Sequence, residues 1–306
     1  MTPTVFFLIF ASVLLHAGWH FLSKQQRGGM AFFLLISFGS LAITSPFTLC
    51  SGVDFSLLPA KFWLFAALGG LCGVICNSGL SFGYRAGDVS LVYPMARALP
   101  VLLTAAVTEI AYLVLGYGAP LSLPAIIGMV VVFAGCLIMP AKDFKHLTPK
   151  YLFKNKAMPW IAIAAFGTTG YTVFDKAGLD LLLKYGNANS TILGSCAYST
   201  IREIFLFFFL FTAVLLIPHE RAGLTKDLPL RWPGYISGIF AAIAYILVLI
   251  AMHMVENVSY IQAFRQMSLP VGVFLGVFFL KEKAGLPKII GLILIVAGLA
   301  ATALLK

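Results

Sequence analysis

The sequence predicts an all-α integral membrane protein of ten transmembrane helices, arranged as two inverted-topology five-helix repeats. Three observations carry that prediction. The 306 residues are 60% hydrophobic and only 10% charged, with a mean hydropathy of +0.98, whereas a soluble domain carries roughly 25% charged residues. The apolar residues fall in continuous runs near the ~20 residues a helix needs to cross hydrocarbon. The two halves of the chain also repeat short motifs in the same order. Continuous runs exclude an outer-membrane barrel, whose strands alternate apolar and polar residues. Helices are the remaining way to satisfy the backbone in lipid.

The spans read 3–23, 29–50, 61–83, 89–115 and 121–140, then 158–182, 190–217, 233–255, 257–280 and 285–305. The first run, Thr4 to Leu22, lacks a basic segment before it and an Ala-x-Ala cleavage site, so it reads as a retained helix and not a signal peptide. Between the fifth and sixth spans lies the one distinctly basic connection, AKDFKHLTPKYLFKNKA. It divides the chain into a first repeat, 1–140, a linker, 141–157, and a second repeat, 158–306.

The repeat shows in three places. GWHFLSK (18–24) and GYTVFDK (170–176) stand at the ends of the first and sixth spans, each closing an apolar run. GDVSLVYPMARALP (87–100) corresponds to ENVSYIQAFRQMSLP (256–270). IIGMVVVFAG (126–135) and IIGLILIVAG (289–298) close the two halves, each preceded by Leu-Pro-x. Two successive five-helix units enter the membrane in opposite senses, because five is odd. Secondary transporters use this inverted construction for alternating access about a central site.

Several classes are excluded by motif. Asp88 follows Arg-Ala-Gly in a loop, so the Gly-x-Gly-Asp of an intramembrane aspartyl protease is broken, and no Gly-x-Ser-Gly, Walker or His-Glu-x-x-His sequence occurs. The chain therefore reads as neither an enzyme nor a cofactor or metal protein. Its five cysteines, Cys50, Cys72, Cys76, Cys136 and Cys196, lie in apolar segments and read as small buried hydrophobes. The formal charge of +10 points to lipid headgroups and topology, not to nucleic acid. Fourteen of the 21 Lys and Arg follow the odd-numbered spans. That bias places the basic loops 24–28, 141–157, 218–231 and 281–288 in the cytoplasm of a cell (inner or plasma) membrane, with both termini outside.

Arg97, Arg202 and Arg265 lie inside apolar runs, where a charge at mid-bilayer costs ~3 kcal/mol. Arg97 is nine residues past Asp88 and Arg265 nine past Glu256. Each is thus ~13 Å below its interface, near the midplane of a ~30 Å core. One reading is an anion-coordinating pair, since Arg offers a fork to carboxylate or phosphate. The other is that each satisfies helix carbonyls or buried polar groups. Arg202 follows the polar YGNAN and adjoins Glu203, and it reads as structural, snorkelling to the interface.

His16 and His20 are four apart and share a helical face. His16 lies level with Arg97, as a pocket or proton-coupling group, a structural hydrogen-bonding group, or half of a metal pair with no third ligand at motif spacing. Glu109 is ~18 Å beyond Arg97 along one helix; it is a second candidate for proton coupling, or an interfacial group. Trp19, Tyr93, Tyr171, Tyr245 and Gln262 complete the candidate substrate pocket, the aromatic residues as walls or as ordinary packing. Gly69, Gly73, Gly79 and Gly83 mark a close helix crossing. Pro94, Pro100 and Pro270 mark interrupted helices beside the arginines.

LLHAGWHFLSK, GDVSLVYPMARALP and FLKEKAGLPKIIGLILIVAG together resemble the drug/metabolite transporter superfamily, in its ten-helix EamA-type branch. The resemblance covers essentially the whole chain. It implies a carrier of small organic solutes with the lipid bilayer, a small-molecule substrate and protons as its partners, and it leaves the oligomeric state open. The pocket arginines favour an anionic or zwitterionic metabolite. The competing reading is a proton-coupled exporter of cationic or lipophilic drugs or of amino acids, which needs an intramembrane carboxylate unpaired with Arg.

Overall fold

A computed structural model describes residues 2–24, 29–87, 89–141, 156–227, 232–280 and 285–304, and of 17–24, 89–91, 225–227 and 275–280 the backbone alone. The helices are α1 Pro3–Lys24, α2 Met30–Leu49, α3 Ala60–Ala86, α4 Val89–Leu115, α5 Leu123–Ile138 and α6 Met158–Tyr185. There follow α7 Thr191–Leu216, α8 Pro218–Asp227, α9 Trp232–His253, α10 Ser259–Phe264, α11 Ser268–Leu280 and α12 Leu286–Leu304. Single 3-10 turns occupy Phe55–Leu57 and Arg265–Met267, and no strand occurs among the described residues.

Among the described residues six segments are long and apolar enough to cross a membrane: α2, α3, Val92–Leu115 of α4, α7, α9 and α12. The chain is a multi-pass helical membrane protein. Two further apolar helices, Pro3–His16 of α1 and α5, are shorter. With 28 residues α6 is long enough, but Thr168, Thr169, Thr172, Asp175 and Lys176 make it too polar. Its polar side is turned inward, since Thr168, Thr169, Thr172 and Asp175 are all buried.

Burial is inverted relative to a soluble protein. Leu113, Val114 and Leu115 are 75%, 74% and 76% exposed, while Asp175 is fully buried and Arg202, Glu203 and Arg265 are nearly so. Soluble monomers rarely expose large contiguous apolar patches; hydrocarbon is the solvent that such a surface fits.

The predicted helix 257–280 is broken. Ser259–Phe264 and Ser268–Leu280 are separated by the 3-10 turn at Arg265. Pro270 is the third residue of α11, in the first turn, where a missing N–H costs no helical bond. The Ser268 hydroxyl donates to the Arg265 carbonyl at 3.0 Å, which also accepts the Ser268 N–H of the turn. Two short elements were not anticipated, α8 and the turn Phe55–Leu57. The former begins with Pro218 and has Glu220 in its first turn, both favourable at a helix start.

The main helix pairings are α3 with α6, α5 with α12, α1 with α9, α2 with both α7 and α9, α3 with α7, and α4 with α6. Small residues permit them. Between α5 and α12, a Cβ on Gly128 would lie 2.7 Å from the Gly298 carbonyl, and one on Gly298 would lie 2.6 Å from the Gly128 carbonyl. Gly135 and Gly291 repeat the reciprocal relation at 2.7 Å each way. Of the α3 glycines, Gly79 faces the α6 backbone at Ala164, 2.6 Å from a built Cβ. Gly135→Val should therefore force α5 and α12 apart and cost about 1–3 kcal/mol, the usual penalty for overpacking. The expected result is a lower melting temperature in detergent. Gly272→Ala, where nothing lies within 4 Å of the new Cβ, is the control that should melt as the parent does. Equal melting of Gly135→Val and parent would mean that this crossing is not tight.

At the end where α3 begins and α6 finishes, an apolar cluster fills the bundle, with Val5, Ile9, Phe62, Ala66, Leu179, Leu182, Leu249 and Met252 at its centre. The loops over it are tied together: Asp54 N–H donates to the Gly186 carbonyl and Asn189 N–H to the Ser51 carbonyl, both at 2.9 Å. Gly52 and Asn187 take positive φ, 71° and 53°, in these turns. At the opposite end, Glu220 accepts from Met30 N–H at the start of α2, at 2.7 Å, and pairs with Arg85 at the end of α3, at 2.6 Å.

Candidate functional site

Between these ends lies a cavity of about 180 Å³, lined by α1, α2, α3, α4, α6, α7, α9, α10 and Arg265 of the 3-10 turn. Its lining residues are drawn from the later part of α3 (Gly73 to Leu80) and the earlier parts of α2, α4 and α6. It therefore sits away from the apolar cluster, on the side of the basic loops.

One wall is built on α4. Arg97 lies one helical turn after Tyr93, so the guanidinium lies over that ring, 5.6 Å from its centroid. Nη1 of Arg97 is 2.6 Å from His16 Nε2, and Nη2 donates to the Arg265 carbonyl at 2.8 Å. Arginine can only donate, so the His16 nitrogen it touches accepts, and that imidazole is neutral in this arrangement. The carbonyl that receives Arg97 belongs to the 3-10 turn. The same carbonyl accepts the Ser268 N–H and hydroxyl within the turn, so Arg97 adds a donor from across the cavity.

A second wall is aromatic. Tyr171 and Tyr245 meet edge to face, 6.1 Å between centroids. Arg202 lies 5.4 Å from the Tyr171 ring and 5.2 Å from the Tyr245 ring. Arg265 is 6.0 Å from the Tyr171 centroid, and its Nη1 is 3.5 Å from the Tyr171 hydroxyl.

Behind the tyrosines is a buried ion cluster. Arg202 donates to Glu203 at 3.0 Å and forms an ion pair with Asp175 at 3.5 Å. The Asp175 carboxylate also accepts from the Tyr198 hydroxyl at 2.8 Å and from the Tyr245 hydroxyl. Glu203 accepts from the Ser37 hydroxyl. The missing side chain at Gly69 leaves room for Asp175, and that at Gly73 for Arg202. Those glycines are thus spacers for charged groups as well as for helices.

Of the residues read from the sequence as pocket candidates, His16, Tyr93, Arg97, Tyr171, Tyr245, Gln262 and Arg265 all line this cavity. The side chains of Trp19 and His20 lie outside what is described. Glu109 is elsewhere, its carboxylate accepting from the Leu121 N–H in the α4–α5 connection. Arg202 does not snorkel: it is 8% exposed, because Asp175 and Glu203 hold it inside. Cys50 is exposed, not buried, since it caps the end of α2; Cys76, Cys136 and Cys196 are buried, and all five are free.

Sequence reasoning missed Asp175, Tyr198 and Ser37. The available signal for Asp175 was the length of α6, which continues ten residues past it to Tyr185. No group of three metal-ligating side chains occurs among the described residues.

No protein-family model and no curated protein sequence matches the chain. A solved structure described only as "Crystal structure of protein" matches 100% of this chain and 99% of its own, with a TM-score of 0.65 and 17% sequence identity. At that identity the likeness shows the fold alone.

Proposed function

We propose that the chain is a secondary transporter, similar to the drug/metabolite type, that moves a small anionic or zwitterionic metabolite by alternating access. The observation that carries this reading is a mid-bundle cavity lined by Arg97 and Arg265, neither of which pairs with a carboxylate among the described residues. A cation inside the membrane without a counter-ion is costly, and a substrate anion would supply one.

The pattern of helix pairings supports two inverted halves. Exchanging α1, α2, α3 and α5 for α6, α7, α9 and α12 turns the α3–α6 pairing into α9–α1, α2–α9 into α7–α3, and leaves α5–α12 and α2–α7 unchanged. The α5–α12 glycines obey the same exchange: Gly128 and Gly291 stand first in their motifs, Gly135 and Gly298 last, and each first meets a last. The apolar cluster and tied loops at one end would be the closed gate, and the cavity would face the basic side.

The competing reading, a cation exporter, has less support. Glu203 and Asp175 are both engaged by Arg202, and Glu109 caps a backbone N–H away from the cavity. Counterflow in proteoliposomes against a panel of organic anions, cations and neutral solutes tests the proposal. Exchange of anions or zwitterions is expected; exchange confined to quaternary amines would sink the anion reading, and no exchange at all the transport reading.

The charge bias places the basic loops in the cytoplasm and both termini outside. A cysteine added after Lys306 should then react with a membrane-impermeant thiol reagent on intact cells. Protection until lysis would reverse the assignment.

A further inference from the structure

We infer that the cavity selects an organic anion carrying one negative charge, with an apolar body no larger than a single ring or short chain. This rests on the transport reading above and specifies its substrate.

The charged groups that face the cavity come from four elements. From α1 comes His16, neutral while it accepts from Arg97. From α4 comes Arg97, from α7 Arg202 and Glu203, and from the 3-10 turn Arg265. Asp175 of α6 stands directly behind, bonded to Tyr245, Tyr198 and Arg202. The remaining walls offer neutral groups such as Ser12, Ser40, Asn77 and Thr168. Among the described residues three guanidinium groups face two carboxylates, an excess of one positive charge.

The excess is localised. Arg202 is held by both carboxylates, whereas Arg97 and Arg265 hold only neutral partners among the described residues. Arg97 Nε is a buried donor with no partner among the described residues. Placing one negative charge beside Arg97 and Arg265 brings the site to neutrality. A second would leave a net negative charge facing Glu203, and a cation would raise the excess to two. Each is penalised in a medium where ions are poorly solvated. A volume of about 180 Å³ is below the ~300–1,000 Å³ of pockets for drug-sized ligands. Phe33, Ile36, Leu80 and Leu206 supply the apolar part of the lining.

The test is thermal melting of the purified full-length protein with benzoate, succinate or choline at matched ionic strength. Benzoate should raise the melting temperature most. Glu203→Gln raises the excess to two and should move the ranking toward succinate. Arg265→Gln removes the excess and should abolish the benzoate shift. Stabilisation of the parent by succinate at least as strong as by benzoate, or by choline alone, overturns the inference, as does an unchanged ranking in Glu203→Gln. Should Glu203→Gln fail to fold, a benzoate shift retained in Arg265→Gln overturns it instead. Counterflow of a dianion or a cation would defeat this inference while leaving transport standing; absence of counterflow for every solute would defeat transport itself.

Discussion

Replacing Arg97 by glutamine should lower uptake of an anionic substrate by about 30-fold or more at sub-saturating concentration, with protein still inserted and monodisperse. A buried charge-assisted contact is worth about 2–5 kcal/mol when one partner is removed, and every 1.4 kcal/mol is tenfold. Arg97→Lys should recover little, because an ammonium cannot bridge His16 and the Arg265 carbonyl as the fork of Nη1 and Nη2 does. Activity near the parent level in Arg97→Gln would remove Arg97 from the substrate site. The same assay tests His16. Its acceptor nitrogen must release Arg97 when it is protonated, so acidification frees a donor and adds a positive charge beside it. Anion binding should therefore strengthen on acidification. His16→Gln should flatten that profile; an unchanged profile would make His16 structural.

The second large effect is on stability. Asp175→Asn should destabilise the protein by about 3–5 kcal/mol, the cost of breaking a buried pair and leaving its partner uncompensated. Arg202 would keep only Glu203, and the Tyr198 and Tyr245 hydroxyls would lose their charged acceptor. Arg202→Met should be similarly costly, because it strands two carboxylates. The double variant should melt well above the sum of the two losses, since Asp175 and Arg202 are in direct contact. Strict additivity in that cycle would show that the ion pair contributes nothing.

Much of the helix pattern is legible in the sequence because lipid imposes a simple rule: apolar runs of fixed length. α2, α3, α4, α7, α9 and α12 follow it to within a few residues. The candidate site was legible where depth could be counted from a clear boundary. Asp88 and Glu256 provide such boundaries for Arg97 and Arg265, and the two do meet, at 2.8 Å through a carbonyl. Counting failed where the boundary was misread. Asp175 followed by Lys176 looked like the end of a span, yet α6 runs on to Tyr185, ~15 Å further. For Arg202 the boundary was right, since α7 starts at Thr191 beside YGNAN, but a charge eleven residues inside, ~16 Å along the axis, is too deep to snorkel. Its counter-ions come from Glu203 and from α6, and pairing across helices has no spacing in sequence. The α10–α11 break was equally invisible in its register. Arg97 and Arg265 are offset by one residue between the matched motifs, and a 3-10 turn advances side chains by ~120° where an α-helix advances them by ~100°.

The polarity of α6 has a consequence for biosynthesis. A segment leaving the ribosome is sorted between water and lipid by its own residues, and an aspartate or lysine near its centre weighs ~2.5–3.5 kcal/mol against retention. On its own, α6 is a poor candidate for the bilayer. What makes it acceptable is the groove already made by α3, in which Cys72 and Cys76 meet Gly167 and Gly79 meets Ala164, with Arg202 arriving only when α7 follows. On the ten-span reading, the chain would hold α6 at the edge of lipid until its neighbours are in place. A bulky residue at Gly79 or Gly167 would be read out first as a helix left outside the membrane, before any question of transport arose.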